Sequence, residues 1–241
     1  VNFVTAGSEP KIMQPFVIAL LDEIPNITSI VNTINNKKNN TAIGNTELLY
    51  GKEFITEKIG EYIFKISANS FFQTNSYQVE HLYNYIKKIA KLNKDDIVYD
   101  LYCGTGTIGI YLSKYVKKIY GIEIVEDAIE DAKYNASINN VNNIEFYCGD
   151  LKDIFSDESI QIEKPNVVIL DPPRPGLHSK ALRDLIELAP KKIIYVSCNP
   201  STLARDVEIL NTNNYSVEDI QPIDMFPHTP HIECIVLLIL D

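Results

Sequence analysis

The sequence predicts an α/β chain: a doubly wound, Rossmann-like sheet preceded by a small α+β unit. Three observations predict it. From about residue 70, short Val- and Ile-rich runs alternate with stretches of helical rhythm, the pattern of βαβ units whose crossover helices set neighbouring strands parallel. A glycine-rich turn, Gly104-Thr-Gly-Thr-Ile-Gly109, follows the first of those runs and opens a helix. The first 66 residues differ in texture, with strand-like runs around one helical segment. The predicted division is therefore 1–66 and 67–241.

Residues 1–5 read as a short strand, and 9–21 as a helix with Ile12, Phe16, Ala19 and Leu20 on one side. Residues 27–34 alternate as a strand, and 35–40, holding Lys37 and Lys38, form a polar loop. Two or three strands follow in 48–66, broken by Gly51 and Gly60. A helix over 78–92 puts Val79, Leu82, Tyr83, Ile86 and Ile89 on one face. Strands then fall at 97–101, 119–124, 144–147, 167–170 and 193–196. Helices fall at 108–115, 126–139, 182–188 and 202–210. Residues 215–220 and 232–240 close the pattern.

With 241 residues and 45% hydrophobic content, the chain can bury a sizeable core. Four widely spaced cysteines form no CxxC pair, which argues against a metal site and against a disulfide framework, and fits a reducing cytoplasm. No apolar run is long enough for a membrane span, and no leader is recognisable. Val1 already lies in an apolar run, so the sequence reads as a piece of a longer protein. A net charge of −10 disfavours a general nucleic-acid coat but leaves room for a local basic channel.

The glycine turn lets backbone approach a ligand closely, and the helix behind it offers unpaired N–H groups. Its letters also fit a nicotinamide dinucleotide fingerprint, so an oxidoreductase must be weighed. Three acids favour S-adenosyl-L-methionine instead. Asp100 precedes the glycines, where it would repel a pyrophosphate. Glu123 ends the second strand, suited to ribose hydroxyls, and Asp150 ends the third, suited to the adenine amino group. Asp171-Pro-Pro-Arg-Pro-Gly176 ends the fourth strand. An amino-nitrogen methyltransferase would carry an aromatic ring after the prolines, but position 174 is arginine. At the end of the fifth strand stands Cys198, a thiol aimed into the crevice where open α/β sheets bind ligands, and a nucleophile for an electrophilic carbon.

Three motifs in order, Asp171-Pro-Pro-Arg-Pro-Gly, Ile194-Tyr-Val-Ser-Cys-Asn-Pro-Ser-Thr202 and His228-Thr-Pro-His-Ile-Glu233, resemble the RNA uracil-5-methyltransferases, which make 5-methyluridine in ribosomal or transfer RNA. Ser70-Phe-Phe-Gln-Thr-Asn75 and the turn from Asp100 to Thr107 resemble the same family. The resemblance implies a class I methyltransferase domain, with 1–66 as the family's central domain. The family's RNA-binding barrel, often with a cluster-binding cysteine set, lies outside the sequence. It implies Cys198 as nucleophile and Glu233 as base. Gln73, Tyr102, Gly104, Glu123, Asp150 and Asp171 are expected to line the cofactor site, with Thr107 a weaker candidate. The implied partner is RNA, ribosomal first and transfer RNA second, with no metal and no membrane.

The chemistry needs these groups. Carbon 5 of uracil is a weak nucleophile until a thiolate adds to carbon 6, and a base must later remove the carbon 5 proton. The resulting enolate oxygen needs a cationic partner, either Arg174 or Arg205. Phe71, Phe72 and Phe226 are candidates to hold the unstacked base. Lys37, Lys38, Lys65, Arg174, Lys180, Arg183 and Arg205 are candidates for the RNA backbone. His228 and His231 are read as loop-positioning residues, and Cys103, Cys148 and Cys234 as structural. The remaining alternatives are a fragment that binds the cofactor without acting and a nicotinamide-dependent oxidoreductase.

Overall fold

The computed structural model describes residues 1–36, 43–150, 154 and 162–241. Lys37 and Lys38 therefore lie outside the described residues. The chain opens with β1 (Asn2–Thr5), α1 (Pro10–Glu23), β2 (Ser29–Ile34) and β3 (Asn45–Gly51), which begins three residues earlier than expected. These strands form one sheet in the order β1-β2-β3, with β1 parallel to β2 and β3 antiparallel to it. β4 (Phe54–Ile59) and β5 (Tyr62–Ser67) form a separate hairpin, turned at Gly60 with φ +58°.

The larger part follows as α2 (Ser76–Ala90), β6 (Ile97–Leu101), α3 (Thr107–Leu112), β7 (Lys118–Glu123), α4 (Glu126–Ile138) and β8 (Ile144–Cys148). Then come β9 (Val167–Leu170), α5 (Ser179–Leu188), β10 (Lys192–Ser197), α6 (Pro200–Asn211), β11 (Tyr215–Ile223) and β12 (Glu233–Leu240). α2 starts before the expected 78 because the Asn75 side chain accepts a hydrogen bond from Gln78 N at 3.2 Å. It stops at Ala90 because Lys91 adopts a left-handed conformation, φ 46°.

Seven strands form one sheet in the order β11-β12-β10-β9-β6-β7-β8. The parallel expectation holds from β10 to β8, where every neighbouring pair is parallel. It fails at β12, which runs antiparallel to both β10 and β11. The reason is the connection: no helix crosses over between β11 and β12, so they pair as a hairpin.

The central strands read as unbroken apolar runs because both faces are buried. Val98, Ile169, Ile194 and Ile235 face one core, shared with α2 and the β4–β5 hairpin. Tyr99, Val168, Ile193 and Val236 face the other, shared with α5 and α6. Tyr83, Tyr99, Tyr195 and Tyr215 are fully buried, and each hydroxyl is bonded, to Thr107, Glu163 O, Asp206 and Pro190 O respectively. A bare hydroxyl there would cost roughly 1–3 kcal/mol. The two cores leave the carboxyl ends of β6, β7, β8, β9 and β10 opening onto one crevice.

Candidate active site

β6 delivers Asp100 to the crevice floor, where it is fully buried. Its Oδ2 accepts a hydrogen bond from Gly109 N at 2.9 Å, while its Oδ1 is buried with no partner among the described residues. Burial pushes this carboxyl up to about 7; the Gly109 amide opposes the rise and the Glu123 charge adds to it. A phosphate would have to displace Asp100 from the start of α3, whereas a cationic group would satisfy the bare oxygen. The turn above it needs left-handed backbone at Tyr102 (φ 61°), Gly104 (φ 52°) and Gly106 (φ 77°). A Cβ on Gly106 would lie 2.7 Å from the Phe146 ring, so glycine is obligatory there.

Glu123, the last residue of β7, is tied down by backbone. Its Oε2 accepts from Gly104 N at 3.2 Å, and its Oε1 from Ile124 N at 2.8 Å and Val125 N at 3.0 Å. Glu123, Tyr102, Asp150, Leu177 and His178 line a cleft of about 240 Å³. Across it, Lys180 Nζ donates to Asp150 Oδ2 at 2.7 Å. Asp150, two residues beyond β8, thus lines the cleft already paired with a cation.

Beside this cleft lies the second half of the crevice. Asp171 follows β9, and Gln73 Nε2 donates to its Oδ2 at 3.4 Å. Burial pushes the Asp171 carboxyl up to about 7, with the charges of Glu233 and Asp100 adding and the Gln73 bond opposing. β10 and β12 pair with Ser197 opposite Cys234. Cys198 and Glu233, the first residue of β12, are the next residues beyond that pair, and the Glu233 charge acts on the Cys198 thiol. Glu233 is buried, and its Oε2 has no partner among the described residues. Burial pushes it up to about 7, against the pull of the Arg174 guanidinium. Cys198 is partly exposed. Burial raises its thiol first, the charges of Glu233 and Asp171 raise it further, and Arg174 favours the thiolate.

The sequence profile of the tRNA (Uracil-5-)-methyltransferase family matches residues 31–240. The chain belongs to this family. An uncharacterised RNA methyltransferase of Oceanobacillus iheyensis is 43% identical over 239 residues, covering 99% of this chain and 52% of that protein. One from Staphylococcus aureus is 43% identical over 238 residues, again covering 52% of its length. The chain thus spans about half the length of the curated relatives it matches. Among solved structures, a Pyrococcus abyssi tRNA (uracil-54, C5)-methyltransferase in complex with S-adenosyl-L-homocysteine superposes with a TM-score of 0.75 at 38% identity, over 99% of this chain and 55% of that one. A Methanocaldococcus jannaschii tRNA m1G37 methyltransferase, at 18% identity and TM-score 0.63, shares the fold.

In this uracil-5-methyltransferase family member, the loop carrying Arg174 is held from α6. Asn199 Nδ2 and Thr202 Oγ1 each donate to Arg174 O at 3.1 Å, and Arg174 Nη2 meets His231 Nδ1 at 3.0 Å. Arg205, the other candidate enolate partner, is committed elsewhere: it bonds Asp206 Oδ1 at 2.8 Å and the carbonyls of Pro175 and Leu177. Asp206 itself escaped sequence reasoning. Fully buried, it also accepts from Leu177 N at 2.8 Å and Tyr195 OH at 2.7 Å. A Cβ on Gly176 (φ 76°) would come within 2.6 Å of it.

The other candidates divide by their contacts. The Thr107 hydroxyl is bonded to Tyr83 at 2.6 Å, which makes it part of the packing beneath the turn. Lys65 pairs with Asp131 at 2.9 Å and faces α4. Of the phenylalanines, Phe71 is 71% exposed, while Phe72 packs on Phe64 and Phe226 meets the His231 ring. Cys148 is exposed, its Sγ donating to Ile124 O at 3.7 Å, whereas Cys103 is buried. Among the described residues, no group of three or more His, Cys, Asp or Glu could hold a metal, and no helix is long and apolar enough to cross a membrane.

Proposed function

We propose that this chain carries the methyl-transfer part of an RNA uracil-5-methyltransferase, acting on C5 of uridine with S-adenosyl-L-methionine as methyl donor. The observation that carries the reading is the β10–β12 register, which sets a thiol and a buried carboxyl side by side next to Asp171 and Gln73. The bare Oδ1 of Asp100 and the backbone-anchored Glu123 fit a cationic amino-acid portion and a ribose respectively. Gln73, Tyr102, Gly104, Glu123, Asp150 and Asp171 are the proposed cofactor residues. The cofactor, when bound, supplies an electrophilic methyl group.

Cys198 loses its proton and bonds to uracil C6; the C5–C6 double bond opens and its electrons reach the O4 enolate and C5. Arg174 stabilises the enolate. C5 would take its methyl from bound S-adenosyl-L-methionine, the S–CH3 bond breaking so that the donor leaves as the neutral thioether; Glu233 then removes the C5 proton, the C5–C6 double bond re-forms, and the C6–S bond breaks to release Cys198 as thiolate. A carboxyl near 7 can take up and give back a proton at neutral pH. The proposed substrate is a flipped or looped uridine, in ribosomal RNA first and transfer RNA second, within the cytoplasm. The proposed division into 1–66 and 67–241 gives the first part a supporting role and the second the chemistry.

Cys198→Ala tests the reading. Incorporation of labelled methyl into RNA should fall below about 10⁻⁴ of wild type, with cofactor affinity by calorimetry unchanged. A variant that still methylates at the normal rate overturns the covalent route. A wild-type chain that binds the cofactor and labels neither ribosomal nor transfer RNA is a binding fragment instead. Nucleoside mass spectrometry of the two RNA pools from cells lacking the gene identifies the substrate.

A further inference from the structure

β5 pairs with β4 on one edge only. Its other edge is met by a helix. Along α4 and its C-cap, Asp127, Asp131, Asn135 and Asn139 recur every four residues, and they engage residues 69, 67, 65 and 63, every second residue of the strand and its extension. The two spacings agree: four helical residues rise about 6 Å and two strand residues about 6.6 Å.

Asn139 Oδ1 accepts from Ile63 N at 2.9 Å and its Nδ2 donates back to Ile63 O at 2.6 Å. Asn135 repeats this on Lys65, accepting from its N at 2.7 Å and donating to its O at 3.2 Å. Asp131 accepts from Ser67 N at 3.1 Å, Ser67 Oγ at 2.9 Å and Ser70 Oγ at 2.7 Å. Asn69 Nδ2 donates to Asp127 at 2.9 Å. The side chains of α4 thus serve β5 as a neighbouring strand would.

One rung does more. Asn135 is fully buried, and its Nδ2 also donates to Thr105 O at 3.2 Å, inside the glycine turn. Its single amide therefore uses both donors and its acceptor, the full capacity of the group apart from one lone pair. The segment after β5 runs through Gln73, bonded to Asp171, to Asn75, whose Nδ2 donates to Met225 O at 3.0 Å. Asn135 joins the glycine turn to Lys65 on β5, the strand that leads into that segment.

We propose that Asn135 is a positioning residue that fixes the glycine turn against β5, the strand leading into the Gln73 segment, so that cofactor affinity depends on a side chain outside the crevice. This rests on the reading of residues 102–109 as the cofactor turn. Asn139 supplies the control, since it makes the same strand-like rung with no bond to the turn.

The experiment compares wild type, Asn135→Ala and Asn139→Ala in the 1–241 chain by calorimetry with S-adenosyl-L-methionine and by deuterium uptake of residues 102–109 with and without it. Asn135→Ala should weaken binding about tenfold and speed uptake in the turn. Asn139→Ala should leave both within about twofold of wild type while lowering the melting temperature comparably. Equal effects of the two variants, or unchanged affinity in Asn135→Ala, overturn the proposal in favour of a purely structural ladder. Should Asn135→Ala not fold, Asn135→Ser is measured in the same way with the same expectation. If the cofactor fails to slow uptake of 102–109 in wild type, the cofactor-turn reading itself falls, whatever the variants do.

Discussion

The two halves of the crevice use the same acids for opposite purposes. On the β7–β8 side, Glu123 accepts three backbone N–H groups and Asp150 pairs with Lys180. On the β9–β12 side, Asp171 has only a long bond to Gln73, Glu233 keeps a bare buried oxygen, and both are pushed up to about 7. Glu123, Asp150 and Asp171 stand at or just past the carboxyl end of a strand, whereas Glu233 opens β12. Supply of donors and depth of burial divide the two sides: one pair of acids is satisfied by the chain itself, the other is left short of donors and its carboxyls are raised.

The sharpest break of this comparison is Glu233→Gln against Glu123→Gln. The first should slow turnover by about 10²–10⁴-fold and accumulate a denaturation-resistant protein–RNA adduct on gels, with cofactor affinity near normal. The second should raise the cofactor Kd about tenfold and leave turnover at saturating cofactor within a few-fold of wild type. Equal turnover losses would erase the division of labour.

Next in size is Asp206→Ala, which leaves Leu177 N and the Tyr195 hydroxyl without their acceptor. Denaturant unfolding should show a loss of roughly 3 kcal/mol, because two buried donors are orphaned. Arg174, Cys198 and their pocket should be affected only through that loosening.

A smaller effect is expected with pH. Asp100, Asp171 and Glu233 have folded values raised to about 7 from unfolded values of 3.8, 3.8 and 4.5. The folded state then binds more protons than the unfolded state across that window. These groups stabilise fully below their unfolded values, and the contribution is lost as pH rises through about 7. The cofactor-free chain should melt lower at pH 8 than at pH 5.5, and Glu233→Gln should flatten the slope. An unaltered slope in that variant would show that Glu233 is solvated. Smallest of all, Asp150→Asn should cost 1 kcal/mol or less, on the order of an exposed ion pair.

Much of this was legible beforehand. The alternation of apolar runs and helical rhythm anticipated the parallel strands, and acids at the ends of four of those runs, with a cysteine at the fifth, pointed to the crevice. The reversal of β12 was not legible, because it depends on a missing crossover helix, and periodicity does not report strand direction. Asp206 and Asn135 were hidden for another reason. A polar residue on a helix reads as solvated, yet both are fully buried. The four-residue spacing from Asp127 to Asn139 was the available signal, since a regular polar stripe on a helix can face a strand's backbone as well as water. Arg174 and Arg205 could be separated only by their bonding, which no letter in the sequence carries.

The reversed strand has a consequence for synthesis. β12 lies between β10 and β11, although it is the last of the three to be made. While a ribosome is still adding those residues, the flank of β10 has no hydrogen-bonding neighbour and Cys198 stands without its carboxylate companion. The side of the pocket that carries Glu233 closes only when residues 233–240 slot into the sheet. Completion of that pocket is thereby tied to translation having passed residue 240.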